Sequence, residues 1–121
     1  MGWILKSLSK EIKSYMRKAA VYLRGEYAGE LTEVTRNEYI FKYDNDYFEN
    51  VNKPAISLTL PKSQKEFRSE YLFPFFFNML SEGSNRIVQS RMLGIDENDH
   101  FGILLATAQY DVAGAVTVKP L

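Results

Sequence analysis

The chain has 121 residues, no formal net charge, 45% apolar and 25% charged side chains, and no cysteine. That is one domain, large enough to bury a core without covalent staples, and it excludes disulfides, a thiolate nucleophile and a cysteine-ligated metal. No apolar run approaches the roughly 20 residues of a membrane span, so no membrane association is expected and a cytoplasmic home is compatible.

The charge is unevenly placed. Met1 to Lys18 carries Lys6, Lys10, Lys13, Arg17 and Lys18 against Glu11, five minus one or +4, which leaves −4 on the remainder. Ile4, Leu8, Ile12 and Met16 recur every four residues with Trp3, Leu5 and Tyr15 nearby, the pattern of an amphipathic helix with lysines on its other face. Such a helix can dock on its own domain, meet an acidic partner, lie on a membrane surface, or be an idle extension ahead of Met16. The chain is therefore divided into a basic amphipathic unit, 1–18, and a domain, 19–121. Lys10, Glu11 and Lys13 interrupt any secretory apolar region.

From Ala19 the period changes to two. Val21 and Leu23 alternate with Tyr22 and Arg24, Gly25 offers a turn, and Tyr27 to Val34 runs back as a hairpin. Arg36-Asn37 makes a second turn before Tyr39 to Tyr43, where Tyr39, Phe41 and Tyr43 share one face. Asp44-Asn45-Asp46 is a capping cluster, with Asp46 placed to cap a single helical turn through Phe48 and Val51; it lacks the spaced oxygens of a calcium loop. Pro54 to Pro61 reads as a fourth strand with Ile56, Leu58 and Leu60 on one face, and Lys62 to Arg68 as a solvated loop.

Phe73, Phe75, Phe76 and Phe77 crowd four of eight phenylalanines into five positions, and each ring removes roughly 150–250 Å² from water. Phe75, Phe76, Met79 and Leu80 fall at helical spacing, with Ser69 as N-cap, Pro74 in the first turns and Gly83 as the left-handed stop. Asn85 to Leu93 is a further helix, bearing Ile87, Val88, Arg91 and Met92 and stopped by Gly94. Asp96 or Asn98 begins another through Phe101 to Ala108, with Ile103 and Leu104 as core. Val112 to Val118 returns to strand. The fold expected is α+β: a mainly antiparallel, curved or barrel-like sheet of about five strands with two or three short helices, plus the N-terminal helix, and with the last strand paired back into the sheet.

Catalytic signatures are sparse. His100 is the sole histidine and reads as a surface or capping residue rather than a base. Gly25 to Gly29 has the wrong spacing for a phosphate loop, and the catalytic-loop and magnesium-binding aspartates of phosphoryl transfer are missing. No enzyme, metal or cofactor is expected.

The segment FPFFFNMLSEGSNR resembles the FF-x-x-LLPEG…R stretch of the N-terminal subdomain of HipA-type kinases, the toxins of bacterial HipBA toxin–antitoxin systems. Gly29-Glu30-Leu31, PAISLTLP at Pro54 to Pro61 and LLATAQYDVAGAVTV within His100 to Val118 agree in order, so that the resemblance covers Val21 to Pro120. Ser81 replaces the family's proline and Gln109 its glycine. In that family the chemistry resides in a larger C-terminal portion. The resemblance implies a non-catalytic subunit of a HipA-type system that docks on a separately encoded HipA-like serine/threonine kinase core and regulates it, in the neutralising sense, like the detached small antitoxin of tripartite HipBST systems. The alternative is a structural N-terminal subdomain or fragment needed for assembly or activity of a HipA-type kinase with its HipB-like helix-turn-helix partner. Direct nucleic-acid binding is not expected of a net acidic domain. The expected partner-binding residues are Ser81, Glu82, Gly83, Ser84, Asn85 and Arg86, which join two helices, together with Asp111 and Gly114. A loop fixed at both ends loses less freedom on binding than a free one.

Overall fold

The computed structural model describes residues 16–80, 83–108 and 115–121, and the side chains of all of these but Gly83 and Ser84. Five strands, β1 (Arg17–Leu23), β2 (Glu26–Thr35), β3 (Glu38–Tyr43), β4 (Glu66–Ser69) and β5 (Val116–Pro120), form one antiparallel sheet in the order β4-β3-β2-β1-β5. The first turn is made by Arg24 and Gly25, both at positive φ (51° and 82°), the conformation that a two-residue hairpin needs to match strand twist. The last strand returns to the first, with Val21 opposite Val118 and Leu23 opposite Val116.

Alternation assigns the faces. Rungs of cross-strand neighbours run Arg17, Glu33, Tyr39 and Ser69, then Ala19, Leu31, Phe41 and Phe67, then Val21, Gly29 and Tyr43. Ala19, Val21, Leu31, Phe41, Tyr43 and Val118 from these and the last strand are all buried. Gly29 is required in its rung because a Cβ there would run into the Lys42 backbone oxygen and against the Phe41 ring.

Four short helices accompany the sheet: α1 (Asn45–Glu49), α2 (Pro74–Phe77), α3 (Gly83–Leu93) and α4 (His100–Thr107). Phe73 and Phe76 of the phenylalanine cluster are buried in the core, and Phe75 and Phe77 are half-buried against it. Phe76 is fully buried, with its ring 5.8 Å from Phe41, 5.2 Å from Phe75 and 6.3 Å from Phe73. Phe101, Ile103 and Leu104 of α4 join the same core, and Gly94 stops α3 at φ 68°.

Several local expectations are corrected. Pro54 to Pro61 is not a strand. Ile56 and Leu60 are buried, but Leu58 between them is 99% exposed, because the segment turns on itself: Leu60 N–H donates to Ser57 O (3.1 Å) and Thr59 N–H to the Ser57 hydroxyl (3.2 Å). Tyrosines take the place of a ladder, the Tyr43 hydroxyl receiving the Ile56 N–H (3.0 Å) and donating to Leu60 O, and the Tyr47 hydroxyl donating to Pro54 O (2.7 Å). The fourth strand lies instead within and just beyond the presumed solvated loop, where Glu66 to Ser69 pairs with β3; it is a short charged edge, the form that discourages further strand addition. Asp44 rather than Asp46 caps the helix after β3, accepting from Tyr47 N–H (3.3 Å), and Val51 is exposed. Ser69 ends β4 and caps nothing in α2, whose N-cap position is Phe73 with Pro74 in the first turn. That helix closes in turns at Met79 and Leu80, so Gly83 opens α3 instead of ending α2. Asp99, not Asp96 or Asn98, caps α4. Arg17 and Lys18, read with the basic N-terminal unit, are the first residues of β1; residues 1–15 lie outside the described residues.

Phe76→Ala should lower unfolding free energy by about 3–5 kcal/mol, the range for emptying an aromatic site in a packed core. Leu58→Ala should stay within about 0.5 kcal/mol, as for a surface change. Urea unfolding of the two variants checks both, and a large loss at Leu58 would restore it to the core.

Candidate functional site

One end of the sheet's buried face is polar. Glu33 sits opposite both Arg17 and Tyr39 in the outermost complete rung and is only 6% exposed, so its charge needs compensation in place. It accepts from Arg17 Nε at 2.8 Å and from the Tyr39 hydroxyl at 3.0 Å. Arg17 also reaches Asp99 in bidentate fashion, at 3.0 and 2.7 Å, and its guanidinium lies 5.1 Å from the centre of the Phe101 ring, within cation–π range. Asp99 in turn accepts from Gly102 N–H at 3.0 Å; a Cβ at Gly102 would strike that carboxylate. Through one arginine, three strands are joined to the start of α4.

The electrostatics follow the contacts. Hydrogen bonds from Arg17, acting against burial and helped by the Gly102 N–H, hold the Asp99 carboxyl below its ordinary range. Asp99, again against burial and joined by Glu33, raises Arg17 above its usual value. Burial, followed by the Glu33 charge, pushes the Tyr39 hydroxyl up to about 12. These directions keep Asp99 ionised, Arg17 charged and the Tyr39 hydroxyl protonated at neutral pH, which suits a structural clamp better than proton transfer.

This clamp forms a wall of a cleft of about 990 Å³, whose lining includes Arg36, Tyr71, Leu72, Phe77, Asp96 and His100. At Phe77 the clamp approaches the predicted partner-binding segment. The His100 ring stands edge-on to Phe77 at 5.0 Å, and the Arg86 guanidinium lies 5.4 Å from the Phe77 ring centre. Burial, then the Arg86 charge, lowers the His100 pKa.

Of the predicted site residues, Gly83 and Ser84 begin α3, Asn85 is exposed in its first turn and Arg86 is half-buried against Phe77. Ser81, Glu82, Asp111 and Gly114 lie outside the described residues. Beyond Arg86, α3 turns apolar side chains outward: Val88 is 54% exposed and Met92 82%, with Ile87 and Leu93 also exposed, whereas Ser90 is buried. Sequence reasoning missed the clamp. Its signal was Glu33, a charged residue at an inward position of an alternating strand, which demands a partner. Among the described residues, no cluster of three His, Asp or Glu side chains is placed to hold a metal, and no helix is long and apolar enough to cross a membrane.

The model of the family described as "HipA N-terminal domain" matches residues 19–119. The chain belongs to the HipA N-terminal domain family. A solved structure titled "N-terminal domain of HipA toxin" superposes with a TM-score of 0.63 at 29% identity, covering 87% of this chain and 92% of that one. An "Uncharacterized protein" of Haemophilus influenzae is 32% identical over 108 residues, covering 89% of this chain and 96% of its own length. Two Sinorhizobium fredii proteins, "Putative kinase Y4mE" and "Putative kinase Y4dM", are 30% and 33% identical over 87% and 83% of this HipA N-terminal domain. The chain spans only 25% and 26% of their lengths.

His100 offers an internal gauge of the α2–α3–α4 junction, because it is the chain's single histidine. Its folded pKa, followed by proton NMR, should lie below the ordinary value of about 6.5. Arg86→Gln should raise it by removing one of the two lowering causes. A lowered folded pKa means that the unfolded chain binds more protons in the window just below pH 6.5, so this contribution to stability is present above that pH and is lost as pH falls through the window. A pKa unmoved by Arg86→Gln would show that the guanidinium does not stand where described.

Proposed function

We propose that this HipA N-terminal domain is a non-catalytic, cytoplasmic subunit of a HipA-type toxin–antitoxin system. It docks in trans on a HipA-like serine/threonine kinase core and restrains it. The observation that carries this reading is the Haemophilus relative, of which the chain covers 96%: in that protein a domain of this kind makes up nearly the whole polypeptide. The proposed contact surface is Ser81 to Arg86 with Asp111 and Gly114. Two features support it. Arg86 is held against Phe77, which limits the freedom that a charge-assisted contact would cost. The exposed apolar side chains of α3 that follow Arg86 have the composition of an interface core.

A second reading rests on the two Sinorhizobium proteins, in which the matching region is about a quarter of a much longer chain. There the domain would be an N-terminal part of a kinase, serving its assembly or activity with a helix-turn-helix partner.

Co-expression with a HipA-like kinase core and capture through a tag on either protein tests the proposal. The chain should co-purify, and Arg86→Glu or Glu82→Lys should weaken capture about tenfold or more, equivalent to about 1.4 kcal/mol, and release kinase output, while the thermal transition of the isolated domain is kept. Unchanged capture and output in both variants would remove this loop from the interface. No complex with any kinase core would favour the second reading.

A further inference from the structure

The cleft beside the clamp lies where residues 1–15 join the domain. β1 starts at Arg17, and the Arg17 side chain is itself a wall of the cleft. As a helix, fifteen residues would be about 22 Å long, with Ile4, Leu8 and Ile12 along one side of it. The cleft offers a complementary mixture. Leu72 is buried in its lining and Phe77 half-buried, while Tyr71 stands 75% exposed at the side, an aromatic surface that the domain itself leaves largely uncovered.

Charge agrees in sign. Residues 1–15 carry Lys6, Lys10 and Lys13 against Glu11, a net of +2. Around the cleft, Glu33, Asp96 and Asp99 face Arg17 and Arg36, and with the neighbouring Glu97 and Arg91 that makes four acidic against three basic, a net of −1. Lys13 sits at the margin of the apolar stripe, close in sequence to the cleft edge, and a long lysine stem can lie along apolar surface while its ammonium reaches an acidic rim.

We propose that residues 1–15 dock as an amphipathic helix across this cleft in cis, the Leu8–Ile12 stripe against Tyr71, Leu72 and Phe77, and Lys13 toward Asp96 and Glu97. The docked segment covers the Phe77 side of the domain, next to Arg86, and so brings the basic N-terminus beside the proposed kinase-binding surface. The self-docking stands apart from the kinase reading and is tested without a kinase.

Trp3 is the only tryptophan and lies off the stripe, so Trp3→Phe with Leu8→Trp moves the single fluorophore to the stripe's middle. In the full chain this reporter should show blue-shifted emission and acrylamide quenching severalfold weaker than that of free tryptophan, independent of protein concentration. Adding Tyr71→Ser and Asp96→Lys, both at exposed positions, should red-shift the emission and raise quenching severalfold while the far-ultraviolet circular dichroism and thermal transition stay in place. Solvent-like emission before the cleft substitutions, or buried emission unchanged by them, would overturn the proposal. So would burial that appears only as protein concentration rises, which assigns the stripe to a second copy, or only with phosphatidylserine vesicles, which assigns it to a membrane surface.

Discussion

The Arg17 guanidinium, held between Glu33 and Asp99, is the constraint on which the arrangement of layers depends. Glu33 is buried at the end of an otherwise apolar face, and an uncompensated carboxylate there would be more costly than the pair, because losing one partner of a buried ion pair strands the other's charge. Arginine suits the role, since its planar fork can serve two carboxylates at once. The same fork fixes Asp99, and Asp99 fixes the first turn of α4 through Gly102. The position of a helix is thereby coupled to the register of β1 and β2. Partial exposure of Arg17 screens the interaction, so its value lies more in orientation than in raw stability.

Orientation matters because the surface proposed above for a partner of this HipA N-terminal domain lies on the helices. Phe77 at the end of α2 is shared by Arg86 of α3 and His100 of α4, so three helices meet at one ring. The exposed apolar side of α3 begins one residue later. A sheet joined rung by rung supplies the rigid floor, and the clamp at its polar end sets where α4, and with it this junction, stands. The junction presents charge, an aromatic edge and exposed apolar area.

What could be read in the sequence was whatever a single segment decides. The hairpin was legible because Val21, Leu31, Phe41 and Tyr43 obey period two and Gly25 supplies the turn. Phe76, Ile103 and Leu104 were legible as core from helical spacing, and Gly94 as a stop. Pro54 to Pro61 misled because its alternation mimics a strand, while the hydroxyls of Tyr43, Tyr47 and Ser57 satisfy its backbone in another way; that competition depends on residues in other segments. Glu66 to Ser69 was hidden by its charge, which belongs to its place at the sheet edge. The family resemblance drew attention to the segment around Arg86, but not to the Phe77 ring on which Arg86 rests. The clamp joins residues 82 positions apart in sequence, and no local pattern announces such a partner.

The coupling of the helical layer to the sheet through Arg17 can be measured by native-state amide hydrogen exchange in the wild type and in Arg17→Met, which keeps the stem and removes the fork. Protection should fall selectively in α4, at Ile103 to Thr107, and in the neighbouring α3, while the β2–β3 ladder around Leu31 and Phe41 keeps its protection relative to global unfolding. Exchange that is unchanged in the helices, or that rises equally in helices and sheet, would contradict the account.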